Sequence, residues 1–184
     1  MMSKEWQVII AGEGGQGQLF IASLLGGAAL EEGKNVAQTA SYGISSRGGF
    51  TKAEVVISPT KIWYPAVIEP NVILALSGEA VEKYLVDLSP DCLLVYDSDK
   101  YEQDLAHNNL KGFALTTMAD KLAKETGKKA MVNVIGLGAI LELTKMVAWG
   151  SLEKVIRRKF PVADIVDLNL QALQVGAACC KDEN

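Results

Sequence analysis

The clearest chemistry in this chain lies in six residues, Gly12-Glu13-Gly14-Gly15-Gln16-Gly17. They satisfy G-x-G-x-x-G, directly after the apolar run Trp6 to Ala11 and at the opening of a helical stretch from Gln16 to Glu32. Glycines at these places let the chain turn tightly between strand and helix and let a ligand reach the backbone. The N–H groups at the start of the helix then favour an anion. Two features count against a dinucleotide. The acidic residue that would hold a ribose about 20 positions on is missing from Gln38-Thr39-Ala40, where the second strand ends. Glu13 also sets a negative charge inside the loop, at a cost of about 1 kcal/mol for two unit charges roughly 4 Å apart in water. Two readings stand: a bound anion, or glycines that seat the first helix closely on the first strand.

Other residues invite chemistry less specifically. Arg47, between small polar residues and the pair Gly48-Gly49, suits a phosphate or carboxylate partner, or a solvated loop. Tyr42 fits an interface or a core contact. Asn133 follows an apolar run and opens a helix, where an N-cap is the favoured role. Asp97 and Asp99 flank Ser98 at the end of a strand; a turn with Asx hydrogen bonds is favoured over a metal or ribose site. His107 is the single histidine, in a polar stretch, so no Ser/His/Asp or Cys/His arrangement is suggested. Lys154, Arg157, Arg158 and Lys159 suit the negative end of a helix dipole. Trp63, Tyr64 and Pro65 form either an exposed interface patch or a small cluster at the sheet edge.

The elements that must hold these residues alternate. Trp6 to Ala11 reads as a buried strand, Gln16 to Glu32 as a helix stopped by Gly33, and Val36 to Thr39 as a second strand. Lys52 to Ser58 reads as a strand near a sheet edge. Val72 to Leu76 is a continuous apolar run typical of a central parallel strand. Ser77 then caps a helix reaching about Leu88, with Glu79 in its first turn. Cys92 to Tyr96 and Gly112 to Leu115 are further strands. Met118 to Glu125, Val132 to Val147, Glu153 to Lys159 and Asp164 to Cys180 are helices. This predicts a single α/β domain over residues 1–184, three-layered, with a mostly parallel sheet and a Rossmann-like first βαβ unit.

Bulk properties narrow the function. A net charge of -4 argues against nucleic acid as main partner. No run approaches the ~20 apolar residues of a membrane span, and Met1 to Gln7 has no apolar signal segment, so a cytoplasmic protein is expected. Cys92, Cys179 and Cys180 form neither a disulfide framework nor the clustered spacing of an iron–sulfur segment.

Several segments, in order, resemble one family. The loop has the form G-x-G-G-Q-G. Ser41-Tyr42-Gly43 with Arg47-Gly48-Gly49 is similar to that family's SYG…RGG segment, although Ile44-Ser45-Ser46 stands where a proline and an acidic residue are common. Val132-Asn133-Val134 with Leu137-Gly138-Ala139 resembles its VN…LGA stretch, and Asn169, Ala172 and Gly176 its C-terminal pattern. The family is the gamma subunit of 2-oxoacid:ferredoxin oxidoreductases. The resemblance implies an enzyme that decarboxylates a 2-oxo acid on thiamine pyrophosphate with magnesium, passes electrons through iron–sulfur clusters to ferredoxin, and gives the acyl group to coenzyme A. It implies alpha, beta and sometimes ferredoxin-like delta subunits as partners, and 2-oxoglutarate as the weakly preferred substrate. The cofactors would belong mainly to those other subunits, and the isolated chain would be inactive. Residues Gly12, Gly14, Gly15, Gln16, Gly17, Tyr42, Arg47, Gly48, Gly49 and Asn133 become candidates for coenzyme A or subunit contact. A free-standing NAD(P)-binding domain and a non-catalytic scaffold are the competing readings.

Overall fold

The computed structural model describes residues 4–42, 49–102, 109–129 and 131–181. The chain order is β1 (Trp6–Glu13), α1 (Gln18–Glu31), β2 (Asn35–Tyr42), β3 (Phe50–Ser58), β4 (Val72–Ala75), α2 (Gly78–Leu85), β5 (Leu93–Asp97), β6 (Leu110–Phe113), α3 (Leu115–Thr126), α4 (Val132–Thr144), α5 (Trp149–Lys159) and α6 (Ala163–Cys179). One six-stranded sheet runs β2-β3-β1-β4-β5-β6. Strands β1, β4, β5 and β6 are parallel neighbours, and β3 is antiparallel to both β1 and β2. The sheet is therefore mostly parallel, as expected. The first βαβ unit differs from a plain Rossmann one, because β3 lies between β1 and β2.

The apolar strand runs have both faces covered. On one face Val8, Ile10, Val55, Val72, Leu74 and Val95 meet α1 and the C-terminal helices in one core. On the other, Ile9, Ala11, Ile73, Ala75 and Leu94 are covered by the short α2, whose Ala80 and Val81 are buried there, and by the connection 59–70, whose Val67 packs on that cluster. One layer is thus much thinner than the other. Ser77 caps α2 by accepting from the Ala80 N–H at 3.3 Å, as the sequence implied.

Helix α4 is apolar all round, and Asn133 through Leu141 are buried without a break. It can be enclosed only if α6 comes very close. A side chain begun at Gly176 would stand 1.8 Å from the Ile135 carbonyl oxygen, and one at Gly138 would stand 2.1 Å from the Leu173 carbonyl oxygen. The two helices therefore cross backbone against backbone. At the other end of the core, Glu32 accepts from the Ala148 N–H at 2.6 Å, and Lys34 donates to the Met146 carbonyl at 2.7 Å. These bonds fix α5 beside α1. The basic end of α5 is paired: Arg157 with Glu153 and Arg158 with Glu31.

The thin face holds one buried carboxylate, Glu54. It accepts from the Thr39 hydroxyl at 2.9 Å, from the Lys52 ammonium and from the Val67 N–H at 3.4 Å. Burial pushes its pKa up, but Lys52, Thr39 and Val67 together hold it below the usual glutamate range. Burial, with the Glu54 charge added, pushes the Tyr84 phenol up to about 12.

Two predictions follow from contact and charge. Gly176→Ala forces the α4–α6 crossing apart and should cost about 1–3 kcal/mol. Gly150→Ala, where a side chain would meet nothing within 4 Å on exposed helix, should be neutral or stabilise by up to ~1 kcal/mol; urea unfolding separates them. For Glu54, the folded state holds the proton more weakly than the unfolded chain. Its carboxylate stabilises the fold above the unfolded pKa, ~4.3, and that contribution is lost as the pH falls through the lower folded value. Glu54→Gln should lower the urea midpoint at pH 7, with the gap closing below the ordinary glutamate range.

Candidate functional site

The glycine loop is built by side chains that close on backbone. Gln16 accepts from the Glu13 N–H at 2.7 Å through its amide oxygen, and its amide nitrogen donates to the Leu76 carbonyl at 3.1 Å. It thereby bridges the C-terminal ends of β1 and β4. Gln18 donates to the Glu13 carbonyl at 2.8 Å. The Gly14 N–H is taken by the Gly49 carbonyl at 2.9 Å. Gly17 occupies the N-cap of α1 with φ 77°, a left-handed conformation that suits glycine. Nothing lies within 4 Å of the point where a side chain would begin at Gly15, so the backbone there faces open space.

Asn133 is the residue that ties this loop to the rest of the molecule. The expected N-cap role belongs by position to Met131, and Asn133 sits one residue inside α4. Its buried amide donates 3.2 Å across to the Gly17 carbonyl and accepts from the Val134 N–H at 2.9 Å. The starts of α1 and α4 are thus joined by one hydrogen bond. Each helix start leaves its first N–H groups without intrahelical acceptors and carries a partial positive charge.

A cavity of about 700 Å³ opens there, lined by Gly15, Gln16, Gly17, Phe20, Leu76, Asp97, Lys100, Thr116, Lys129, Met131, Val132 and Asn133. It lies at the C-terminal edge of β1, β4 and β5, where ligands bind in parallel sheets. Its walls combine two open helix starts with two lysine side chains. Asp97 and Asp99 do not oppose this as free charges. Asp97 accepts from the Thr116 N–H at 3.2 Å and from its hydroxyl at 2.5 Å, and Asp99 from the Thr117 N–H at 2.6 Å. They cap the start of α3, and the Asp99 N–H closes an Asx turn on Asp97 at 3.2 Å. The chemistry of these walls suits an extended anion.

Of the residues singled out from the sequence, Gly15, Gln16, Gly17, Asp97 and Asn133 meet in this cavity. Gly14 lines a smaller cleft of about 250 Å³ on the other side of the loop, with Thr51 and Lys52. Gly12 stays in β1, paired with Thr51. Gly49 supports Gly14. Tyr42 ends β2. Arg47, Gly48 and His107 lie outside the described residues. Lys100 and Lys129 were not anticipated. Lys100 follows β5 by three residues, which places it at the ligand-binding edge, and that was the available signal; Lys129 had none.

Two alternatives lose their footing. In a dinucleotide fold the ribose carboxylate stands on the strand beside β1, about 5 Å away; here β3 intervenes, which puts the end of β2 about 10 Å off. An iron–sulfur cluster has no cysteine set in this chain. Cys92 lies in the cluster under α2, where burial pushes its thiol up to about 11. Cys179 and Cys180 pack on the opposite core.

Comparison with known proteins converges on one group. A family model for the pyruvate ferredoxin/flavodoxin oxidoreductases matches residues 7–179. The 2-oxoglutarate synthase subunit KorC of Methanocaldococcus jannaschii is 34% identical over 179 residues, covering 96% of this chain and 94% of that protein. The ketoisovalerate oxidoreductase subunit VorA of Methanothermobacter marburgensis is 32% identical, matching 95% of this chain but 36% of that protein. Among solved structures, the keto/oxoacid ferredoxin oxidoreductase gamma subunit of Geobacter sulfurreducens superposes with a TM-score of 0.79 at 30% identity, over 96% of this chain and 99% of that one. The 2-oxoglutarate:ferredoxin oxidoreductase of Magnetococcus marinus, solved with 2-oxoglutarate, coenzyme A and succinyl-CoA bound, gives 0.83 at 25% identity, over 97% of this chain and 31% of that chain.

The loop geometry predicts the effect of a single methyl group. At Gly17 a side chain would require a strained left-handed backbone and would begin 2.4 Å from the Asn133 amide nitrogen. Gly17→Ala should cost about 1–3 kcal/mol, read as a lowered urea midpoint. A midpoint equal to wild type would show that the α1–α4 junction gives way freely.

Proposed function

This chain belongs to the pyruvate ferredoxin/flavodoxin oxidoreductase family, and we propose that it is the gamma subunit, one domain over residues 1–184, of a cytoplasmic 2-oxoglutarate:ferredoxin oxidoreductase. The substrate follows the 2-oxoglutarate synthase subunits, which resemble it at 34% identity along nearly their whole length. The overall reaction joins 2-oxoglutarate and coenzyme A, releases carbon dioxide and a proton, and passes two electrons singly to ferredoxin, leaving succinyl-CoA. Among the described residues no helix is long and apolar enough to cross a membrane.

The thiamine pyrophosphate with its magnesium, and the iron–sulfur clusters, are assigned to partner subunits of alpha, beta and delta type. The thiamine supplies the acyl carbanion chemistry and the clusters the electron path. The part assigned to this chain is reception of coenzyme A. The observation that carries this is the junction of two helix starts, α1 and α4, on a cavity that also holds Lys100 and Lys129. Coenzyme A carries a diphosphate between its 3′-phosphoadenosine and its thiol-bearing arm, and backbone N–H groups at helix starts with lysine ammoniums bind that group by charge-assisted hydrogen bonds. The bare backbone at Gly15 lets the diphosphate approach closely. The role is positioning: holding the nucleotide end fixes the thiol end relative to the acyl group, which lowers the entropic barrier to transfer.

The assembled enzyme, purified anaerobically through this chain, should reduce a viologen dye only with both 2-oxoglutarate and coenzyme A. Turnover with pyruvate or a branched-chain oxoacid in place of 2-oxoglutarate would overturn the substrate. Lys100→Ala with Lys129→Ala should raise the KM for coenzyme A about ten-fold or more, the loss of one or two charge-assisted bonds. The KM for 2-oxoglutarate and the kcat at saturating coenzyme A should stay near wild type. An unchanged coenzyme A KM would move the thiol donor out of this cavity.

A further inference from the structure

Among the described residues the four most exposed large hydrophobics are Trp63 at 84%, Val86 at 79%, Ile68 at 67% and Tyr64 at 61%. Three belong to the connection 59–70 and the fourth directly follows α2, so all four lie in the thin layer of the fold. Val86 follows the last turn of α2, whose Lys83 and Tyr84 pack on Phe50; the connection 59–70 leaves β3 and enters β4 at the edge where β1 begins. This edge is opposite the cavity.

The backbone beneath these side chains is held firmly. The Ile68 and Glu69 N–H groups both donate to the Gln7 amide oxygen, at 2.8 and 3.1 Å. The Asn71 N–H donates to the Gln7 carbonyl at 3.0 Å, and the Val67 N–H reaches Glu54. A connection that only needed to cross the sheet would turn these side chains inward or carry polar ones. A fixed backbone presenting bare Trp and Tyr has little ordering entropy left to lose on association, and these residue types dominate interface hot spots.

We propose that the 59–70 connection forms the docking surface for another subunit of the same enzyme, one presenting a complementary apolar face low in charge. This rests on the gamma-subunit reading above. The kind of partner follows from two observations. Residues 59–70 carry one lysine and one glutamate, and the Lys61 ammonium already lies 4.0 Å over the Trp63 ring, so charge does not select the partner. In the Magnetococcus enzyme the matching stretch is 31% of one longer chain, and in the ketoisovalerate subunit 36%. In those relatives this domain is held beside additional protein of the same polypeptide. Docking at this edge leaves the opposite, anion-receiving edge open.

The test is anaerobic affinity purification of this chain from its own cells, wild type against Trp63→Ser/Tyr64→Ser, with co-purifying subunits quantified. The wild type should bring thiamine- and iron–sulfur-bearing chains with it, and the variant should recover at least ten-fold less of them at equal bait. Ile68→Glu should repeat the loss, and Val162→Ser, half-exposed elsewhere, should not. Circular dichroism and thermal midpoint of the isolated variants report folding, since all four substituted positions are on the surface. Full recovery of partners by both patch variants overturns the proposal while leaving the subunit reading intact. A wild-type chain that brings no such partners overturns the subunit reading, and this proposal with it. A wild type that is a dimer of this chain alone, made monomeric by the variants, would make a second copy the occupant and overturn the proposal.

Discussion

The hydrogen bond from Asn133 to the Gly17 carbonyl joins two helix starts that lie 116 residues apart in the sequence. Everything at the candidate site depends on that junction being held. Its geometry is set less by the bond itself than by where α4 lies, and α4 is placed by the close crossing with α6. Gly138 and Gly176 permit backbone-to-backbone approach. Any side chain there would lift α6 and loosen the one helix whose start completes the cavity. A glycine near the C-terminus and an asparagine in the middle of the chain thus bear on a loop at residue 17.

The strands, the central position of β4 and the capped start of α2 were legible in the sequence because each is a local signal: apolar run, turn, cap. The insertion of β3 between β1 and β2 was not, since strand order depends on which edges meet in space and leaves no mark on periodicity. Asn133 shows the same limit. An asparagine near a helix start signals capping, and the helix did start there. Its actual partner is 116 residues away. The glycine loop was readable as a place where backbone meets ligand, and Lys100 and Lys129 were not, because lone lysines are ordinary on any surface until a cavity gathers them.

Gln16 explains why the loop follows G-x-G-G-Q-G more closely than the minimal dinucleotide pattern. Its amide satisfies the Glu13 N–H and the Leu76 carbonyl at once, so the turn is locked to the neighbouring strand β4 by a side chain that carries no charge. A carboxylate there would lose the donor to Leu76 and add repulsion to an anion; an aliphatic residue would leave two polar groups without partners. Glu13, whose charge seemed to oppose an anion, does not line the main cavity. The objection from charge therefore weakens once the loop is seen in three dimensions.

The two edges of the sheet divide the work. At the C-terminal edge, helix starts, bare backbone and lysines from separate segments of chain line one polar cavity. At the N-terminal edge the thin layer leaves aromatic surface in water, a cost that a soluble monomer has no reason to carry. The thin layer is also why the protein can be a subunit: α2 and one connection cover the sheet well enough to bury Ile9, Ile73 and Leu94. The remaining apolar surface is turned outward on a hydrogen-bonded frame. Under the proposed function such a domain takes part in redox catalysis through position. In the function proposed above, an anionic carrier is received at one edge, and what docks at the other edge determines where that carrier's reactive end can go.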